Sequence, residues 1–147
     1  MTLRRKFLNC SSKDLALIAV VFSLAYITWV LLRFFLFQRV EWFLSGSARR
    51  LRRCLFFCHF SCDRIVWAVA VLGRHAEFAR NCLIQALVVQ FLMALCGQRS
   101  QLCMGVAKDT AGLLEAHAWI ESSGKILIGG SGLERFTPLL GLQESIQ

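Results

Sequence analysis

The residues that decide the fold are NCLIQALVVQFLMALCG, at positions 81–97. Asn81 is a favoured N-cap residue, the apolar run behind it is long enough for about four turns, and Gly97 is a favoured stop. This pattern predicts an apolar helix whose first residue is Cys82. The free N–H groups and positive dipole end of a helix stabilise an anion by roughly 0.3–1 kcal/mol, which is too little to activate a thiol alone.

A histidine is the usual partner of a reactive cysteine, and the chain offers His59, His75 and His117. His117 lies in EAHAWIE, residues 115–121, which has the two-residue period of a strand. A cysteine that opens a buried helix, followed by a histidine on a strand, is the layout of papain-like and transglutaminase-like thiol enzymes. A small buried thiol and a structural histidine fit the same spacing, so both interpretations stay open.

The length of 147 residues predicts a single domain, residues 1–147. Charge divides it unevenly. Residues 1–80 hold thirteen basic and four acidic side chains (net +9), whereas residues 81–147 hold four and five (net −1). A basic surface attracts acidic peptides, nucleotides or anionic lipids. The chain has no base-reading motif and no zinc-finger spacing, so we predict no nucleic-acid partner.

An uncharged apolar run extends over residues 15–32. This is about the shortest length that spans a bilayer. No small-residue cleavage site follows it, so a removed signal peptide is not expected. Basic residues flank both ends, so the positive-inside rule chooses no orientation. Composition alone fits a membrane helix and a buried core helix equally well.

Three cysteines recur every four residues at Cys54, Cys58 and Cys62, with His59 beside them. This spacing aligns the sulfurs on one helix face, so a metal site has to be considered. Paired Cys-x-x-Cys knuckles are absent and the neighbours are apolar, which favours packing; we predict no metal and no cofactor. Seven cysteines without a secretory signal fit a reducing compartment, so we predict a cytoplasmic protein.

After Gly97 the period changes from helical to alternating. Strands are predicted at residues 101–107, 113–121 and 125–128, with turns between them. Helices followed by an antiparallel meander predict an α+β fold, in which residues 1–80 are helical and residues 81–147 form the core that carries Cys82 and His117. Residues 131–147 are predicted to form a surface cover.

Several segments recur in the order of one known family. They are IVWAV (65–69), NCLIQAL (81–87), GVAKD (105–109), LEAHAWIES (114–122), ILIGG (126–130) and LERFTPL (133–139). The chain also has a basic, Phe-containing start, a Lys-Asp helix opening and a long apolar run that closes on Arg33-Phe34-Phe35. Together these features cover nearly the whole chain and resemble the stand-alone leader peptidase of bacterial lasso peptide maturation. That family has a transglutaminase-like core, so the resemblance implies a nucleophile helix packed on a small antiparallel sheet.

The resemblance places the nucleophile on Cys82 and the general base on His117. It implies hydrolysis of the bond between the leader and core of a lasso precursor peptide. The partners it implies are this precursor, a small separate leader-binding protein, and a cyclase that uses ATP to close the macrolactam ring; whether ATP affects the cleavage is left open. The family's proteins are soluble, so residues 15–32 are expected to be buried or partner-facing rather than in a membrane. The basic, apolar first half is the candidate docking surface.

An oxyanion would be stabilised by backbone N–H groups at the helix start, those of Cys82 or Leu83, with Gln85 as a side-chain helper. The alternatives to a peptidase are a transglutaminase-fold acyl-transfer enzyme, a non-catalytic binding module, and a small membrane-anchored protein.

The third member of the site is the departure from the family. An acid is expected opposite His117 across the hairpin, where a three-residue turn would place Gly129 and a two-residue turn Gly130. Glu121 is on the correct face but about 13 Å along the strand. The remaining candidates for orienting the imidazole are Asp109 or Glu134 folding back, or a backbone carbonyl.

Overall fold

A computed structural model describes residues 12–35, 39–40, 42–44, 46–47 and 60–139. Cys54, Cys58 and His59, the first part of the cysteine cluster considered as a metal site, lie outside these residues. Cys62, the last cysteine of that cluster, begins a helix. No group of three or more His, Cys, Asp or Glu side chains within the described residues is placed to hold a metal ion.

Within the described residues, three α-helices with defined bounds precede four strands. The helices are α1 (Ser12–Phe34), α2 (Cys62–His75) and α3 (Cys82–Leu95), with a 3₁₀ turn, Glu77–Arg80, between α2 and α3. The strands are β1 (Gln101–Lys108), β2 (Leu114–Ser122), β3 (Lys125–Ile128) and β4 (Thr137–Pro138), with a second 3₁₀ turn at Leu133–Arg135. The strands form one antiparallel sheet in the order β3-β2-β1-β4. The α+β prediction is therefore confirmed.

Helix α3 is the centre of the core. It carries no charged residue, and nine of its fourteen residues are buried. Helices α1 and α2 pack on it, and so do strands β1, β2 and β3. The predicted boundaries hold: Asn81 is the N-cap, and Gly97 follows the helix with a φ of 73°. A left-handed glycine at this point lets the Gln98 N–H bond back to the Met93 carbonyl at 2.9 Å and close the last turn.

Helix α1 is buried along one face only. Leu17, Val21, Ala25 and Thr28 face the core, at spacings of three and four residues. The outward residues between 15 and 32 are exposed and uncharged. The helix is long and apolar enough to cross a membrane, and only 22% of its most apolar window is buried. One face of the helix is therefore buried, and the partner-facing role expected of residues 15–32 stays a prediction for the exposed face.

An ion pair fixes the start of α1. Asp14, in its first turn, is 3% exposed and accepts a hydrogen bond from the guanidinium of Arg64 on α2. A carboxylate taken out of water needs such a partner. The same guanidinium lies 5.8 Å from the centroid of the Trp67 ring. Arg64 therefore ties the first turn of α1 to α2.

The C-terminal segment does more than cover the surface. Thr137 and Pro138 form β4 along the edge of β1, and the Leu139 N–H donates to the Met104 carbonyl at 2.9 Å. Gly105 on β1 makes room for this segment, because a Cβ there would lie 3.0 Å from the Phe136 Cβ. The prediction of a simple cover was incomplete, since two residues of strand are too short to show a sequence period.

We expect Arg64→Ala to lower the free energy of unfolding by about 1–3 kcal/mol, because it takes the guanidinium away from a buried carboxylate. Arg74→Ala is the matched control: the same substitution in the same helix at an exposed position should cost less than about 1 kcal/mol. Urea unfolding followed by circular dichroism measures both. Equal costs would mean that the ion pair does not anchor α1.

Candidate active site

Cys82 stands where the sequence predicts, as the first residue of α3. The Asn81 side-chain oxygen accepts from the Leu83 N–H at 2.9 Å, and the Asn81 carbonyl accepts from the Gln85 N–H at 3.1 Å. This cap corrects one expectation: the Leu83 N–H already has an acceptor. The Cys82 N–H is left as the candidate donor to an oxyanion.

Gln85, the predicted helper, is held by the chain that leads into α3. Its Nε2 donates to the Ala79 carbonyl at 2.8 Å. Gly73 on α2 allows this approach, because a Cβ at that position would collide with the Gln85 amide. The amide has two hydrogens, so one remains for another acceptor. A role for Gln85 at an oxyanion stays a prediction.

His117 lies on β2, paired with Gly105 of β1. Its Nε2 is 2.8 Å from the carbonyl oxygen of Gly129. A carbonyl oxygen can only accept, so Nε2 carries the hydrogen, and in the neutral ring Nδ1 is the basic nitrogen. The ring also stacks near Phe136 and Trp119, with centroids 5.0 Å and 6.3 Å away.

Cys82 and His117 line the same open cleft, which has a volume of about 280 Å³. Its lining residues are Arg80, Cys82, Gln85, His117, Ala118, Ile128, Gly129 and Ser131. No hydrogen bond joins the Cys82 sulfur to the imidazole within the described residues. Such bonds are often long in substrate-free sites and tighten when substrate binds. The structure thus brings the two predicted residues to one cleft without a preformed contact between them.

The cleft lies beside the part of β2 that is no longer paired with β3. Pairing between β2 and β3 ends at Ile120 and Ile128, next to a bulge, and Gly129 then turns away with a φ of 79°. The expected cross-strand pairing of His117 with Gly129 or Gly130 therefore does not form, although the hairpin loop has two residues. The free edge of β2 at His117 and Ala118 opens onto the start of α3.

The carboxylates considered as orienting acids have other partners. Asp109 Oδ1 accepts from the N–H groups of Ala111 and Leu113, both at 2.8 Å, and so shapes the β1–β2 turn. Glu121 accepts from the Trp119 indole N–H at 2.8 Å. Glu134 makes no hydrogen bond to the imidazole. Across the described residues, the hydrogen-bond partner of the His117 ring is the Gly129 carbonyl.

Two other cysteines have thiols that are harder to ionise. Burial raises the pKa of Cys62; the Asp63 carboxylate adds to the rise and Lys125 opposes it. Burial also raises the pKa of Cys103, and the charge of Glu121 adds to it. Both residues are partly exposed.

Sequence reasoning missed three neighbours of the site. Arg80 and Ser131 line the cleft, and Phe136 stacks on His117. Arg80 is two residues before Cys82 in the sequence, so its place near the predicted nucleophile could have been inferred from the sequence. Ser131 and Phe136 reach the site only through the turn at Gly129 and the pairing of β4, which no local pattern predicts.

A capped helix with a cysteine in its first turn, a histidine on an adjoining antiparallel strand and a shared cleft form an arrangement that thiol enzymes use. The model of the transglutaminase-like superfamily matches residues 18–141. The chain belongs to this superfamily, and the match begins inside α1. No curated protein and no solved structure matches the chain. Membership fits cysteine protease or acyl-transferase chemistry.

We expect iodoacetamide at pH 7 to label Cys82 at least about tenfold faster than Cys62 or Cys103, because the thiolate is the reactive form and the latter two have raised pKa values. Their labelling should increase only in alkaline solution. Peptide mapping by mass spectrometry gives the individual rates. His117→Gln should slow Cys82 alone, whereas equal labelling of all three thiols would leave no activated cysteine.

Proposed function

We propose that this protein is a cytoplasmic cysteine peptidase that removes the leader from a lasso precursor peptide, acting with a separate leader-binding protein before the cyclase closes the macrolactam ring. The observation that carries the peptidase chemistry is the meeting of Cys82 and His117 at one cleft. The substrate class is supported by the ordered resemblance from residue 65 to residue 139. Superfamily membership is compatible with both.

The proposed reaction begins when the Cys82 thiol gives its proton to Nδ1 of His117. The thiolate attacks the carbonyl carbon at the leader–core junction, and the Cys82 N–H stabilises the oxyanion. The imidazolium then protonates the leaving amine, so the core peptide departs and the leader remains as a thioester on Cys82. Nδ1 next activates a water, which attacks the thioester; the leader leaves as a carboxylic acid and the thiol is restored.

The shape of the cleft favours an extended chain as substrate. A volume of about 280 Å³ is at the lower limit for a pocket that encloses a small molecule, whereas an open cleft of this size accommodates a few atoms of backbone beside the nucleophile. Arg80 is the one charged residue among those that line it, and it is exposed. The binding energy for a long leader must therefore come from surfaces outside the cleft.

The outward face of α1 is the surface that fits this need. Phe22, Tyr26 and Trp29 surround Phe78 of the 3₁₀ turn, with ring centroids 5.5–6.3 Å apart. Phe78 is two residues before Arg80, which lines the cleft, so this aromatic cluster lies close to the cleft along the chain. An uncharged, exposed aromatic face is typical of a protein–protein interface. We propose that the leader-binding protein and its leader dock here.

The second candidate function is acyl transfer. It is motivated by the partner of the His117 ring, which is the uncharged Gly129 carbonyl and not the acid that the resemblance implies. In that case the thioester on Cys82 would be attacked by an amine rather than by water. Incubation with an added primary amine separates the two functions, because acyl transfer gives an amide product and hydrolysis gives a free carboxylic acid.

The first test of the peptidase is mass spectrometry of a lasso precursor incubated with the protein, with and without the leader-binding protein. We expect a single cut at the leader–core junction. Cys82→Ala and His117→Ala should each lower the rate by at least about 100-fold, because each removes a reacting group. ATP is added to a parallel reaction to test its effect.

The matched controls for these variants are Cys103→Ala and His75→Ala, which change the same residue types away from the cleft and should retain cleavage. An intact precursor in the presence of a folded protein and a bound leader-binding protein would contradict the peptidase. If Cys82→Ala still cleaves the precursor, Cys82 is not the nucleophile.

Docking on α1 predicts that Tyr26→Glu and Trp29→Glu each weaken binding of the leader-binding protein by roughly 10-fold or more, since each places a charge in an apolar contact. Leu113→Glu, at an exposed apolar position in the β1–β2 turn, is the control and should bind normally. Calorimetric titration measures the three affinities. Unchanged affinity, together with alkali-resistant pelleting with lipid vesicles, would assign α1 to a membrane instead.

A further inference from the structure

We infer that the backbone carbonyl of Gly129 takes the place of the missing acid as the positioning group for His117, and that Phe136 holds the ring plane beside it. The inference extends the proposed function, because it assigns the orienting group of the same site. Its structural part can be tested without any substrate.

The conformation of Gly129 is what directs this carbonyl. Its φ of 79° is one that side chains with a Cβ rarely adopt. A Cβ there would lie 2.7 Å from the Ala118 carbonyl oxygen and 2.9 Å from the Trp119 Cβ. Glycine is therefore required both by the backbone angle and by the space. The turn it makes, directly after β3 ends at Ile128, brings the carbonyl to the free edge of β2 where the imidazole lies.

The faces of the imidazole are fixed by aromatic rings. Phe136 lies 5.0 Å from it with an interplanar angle of 27°, and Trp119 lies 6.3 Å away at 20°. Phe136 is only 7% exposed, and β4 pairing with β1 holds the segment that carries it. Rotation of the His117 ring by 180° would break the bond to Gly129 and exchange Nδ1 for a carbon. The carbonyl and the stack together keep one edge of the ring available.

This arrangement gives His117 one tautomer for a chemical reason. With Nε2–H donating to Gly129, Nδ1 is the nitrogen that is left to take the Cys82 proton. A carboxylate in the same place would select the same tautomer and would also titrate at acidic pH; a backbone carbonyl does not titrate. The orientation of His117 is therefore maintained at any pH at which the fold is intact.

The test uses Gly129→Ala with Gly112→Ala as its matched control. Gly112 has a φ of 80°, but nothing lies within 4 Å of a Cβ built there, so the control carries the same backbone strain without disturbing His117. Long-range ¹H–¹⁵N spectra of the labelled full chain report which ring nitrogen is protonated, and His117→Gln assigns the signal. We expect the Nε2–H form in the native protein and in Gly112→Ala, and loss of that form in Gly129→Ala.

The kinetic readout separates positioning from binding. Gly129→Ala should lower kcat for precursor cleavage by about 10–100-fold with KM within about twofold, because general acid–base catalysis of this kind contributes about 10²–10⁴-fold and part of it is lost. Phe136→Leu removes the stacked ring but keeps an apolar side chain and the Gly129 bond, so it should retain the tautomer and lower kcat by only a few-fold.

If Gly129→Ala fails to fold, the native spectrum still decides the tautomer, and Phe136→Leu still tests the stacking. An Nδ1–H tautomer in the native protein, or a tautomer unchanged in folded Gly129→Ala, would overturn the inference. An Nε2–H tautomer in a protein that leaves the precursor uncut would retain the positioning by Gly129 and reject the peptidase, so the two failures are distinguishable.

Discussion

Burial of α3 on all sides is the constraint on which the rest of the structure depends. A helix without a charged residue must be covered around its whole circumference, and here α1 and α2 cover one side while β1, β2 and β3 cover the other. This packing leaves only the ends of α3 near solvent. Its N-terminal end, capped by Asn81, carries Cys82. The position of the thiol is thus a consequence of the core.

Strand β2 contacts both the core around α3 and the cleft. Ala118 and Ile120 belong to the hydrophobic cluster around α3, while Trp119, next to them, has the contacts of the opposite face, with Gly105 and Glu121. His117 shares that opposite face, yet it lines the same cleft as Cys82. This is possible because β3 ends before it reaches His117. The edge of β2 is open there, so the His117 ring and the start of α3 can line one cleft.

The features that the sequence predicts well are those with local causes. Asn81 and Gly97 set the ends of α3 through their own hydrogen bonds and backbone angles, and the alternation in residues 115–121 is sufficient to define β2. The features that the sequence does not predict depend on tertiary contacts. The pairing of β4 with β1 and the Gly129–His117 bond each join residues that are distant in the chain. Which face of α1 is exposed likewise depends on the elements that pack against the other face. The bulge beside Ile120 shifts the register between β2 and β3, so the residue opposite His117 cannot be found by counting from the turn.

A neutral orienting group bears on the fate of the thioester in the proposed reaction. Superfamily membership is compatible with attack by water or by an amine. In the proposed reaction, the choice between them depends on which of the two reaches the thioester on Cys82. The cleft is open, and among its described lining residues only Arg80 is charged, so no acidic side chain there is placed to attract a cationic amine. Water reaches such a site without recognition. With His117 bound through Nε2, hydrolysis would need no binding group beyond those for the peptide, whereas acyl transfer would also need a place for the amine beside Cys82.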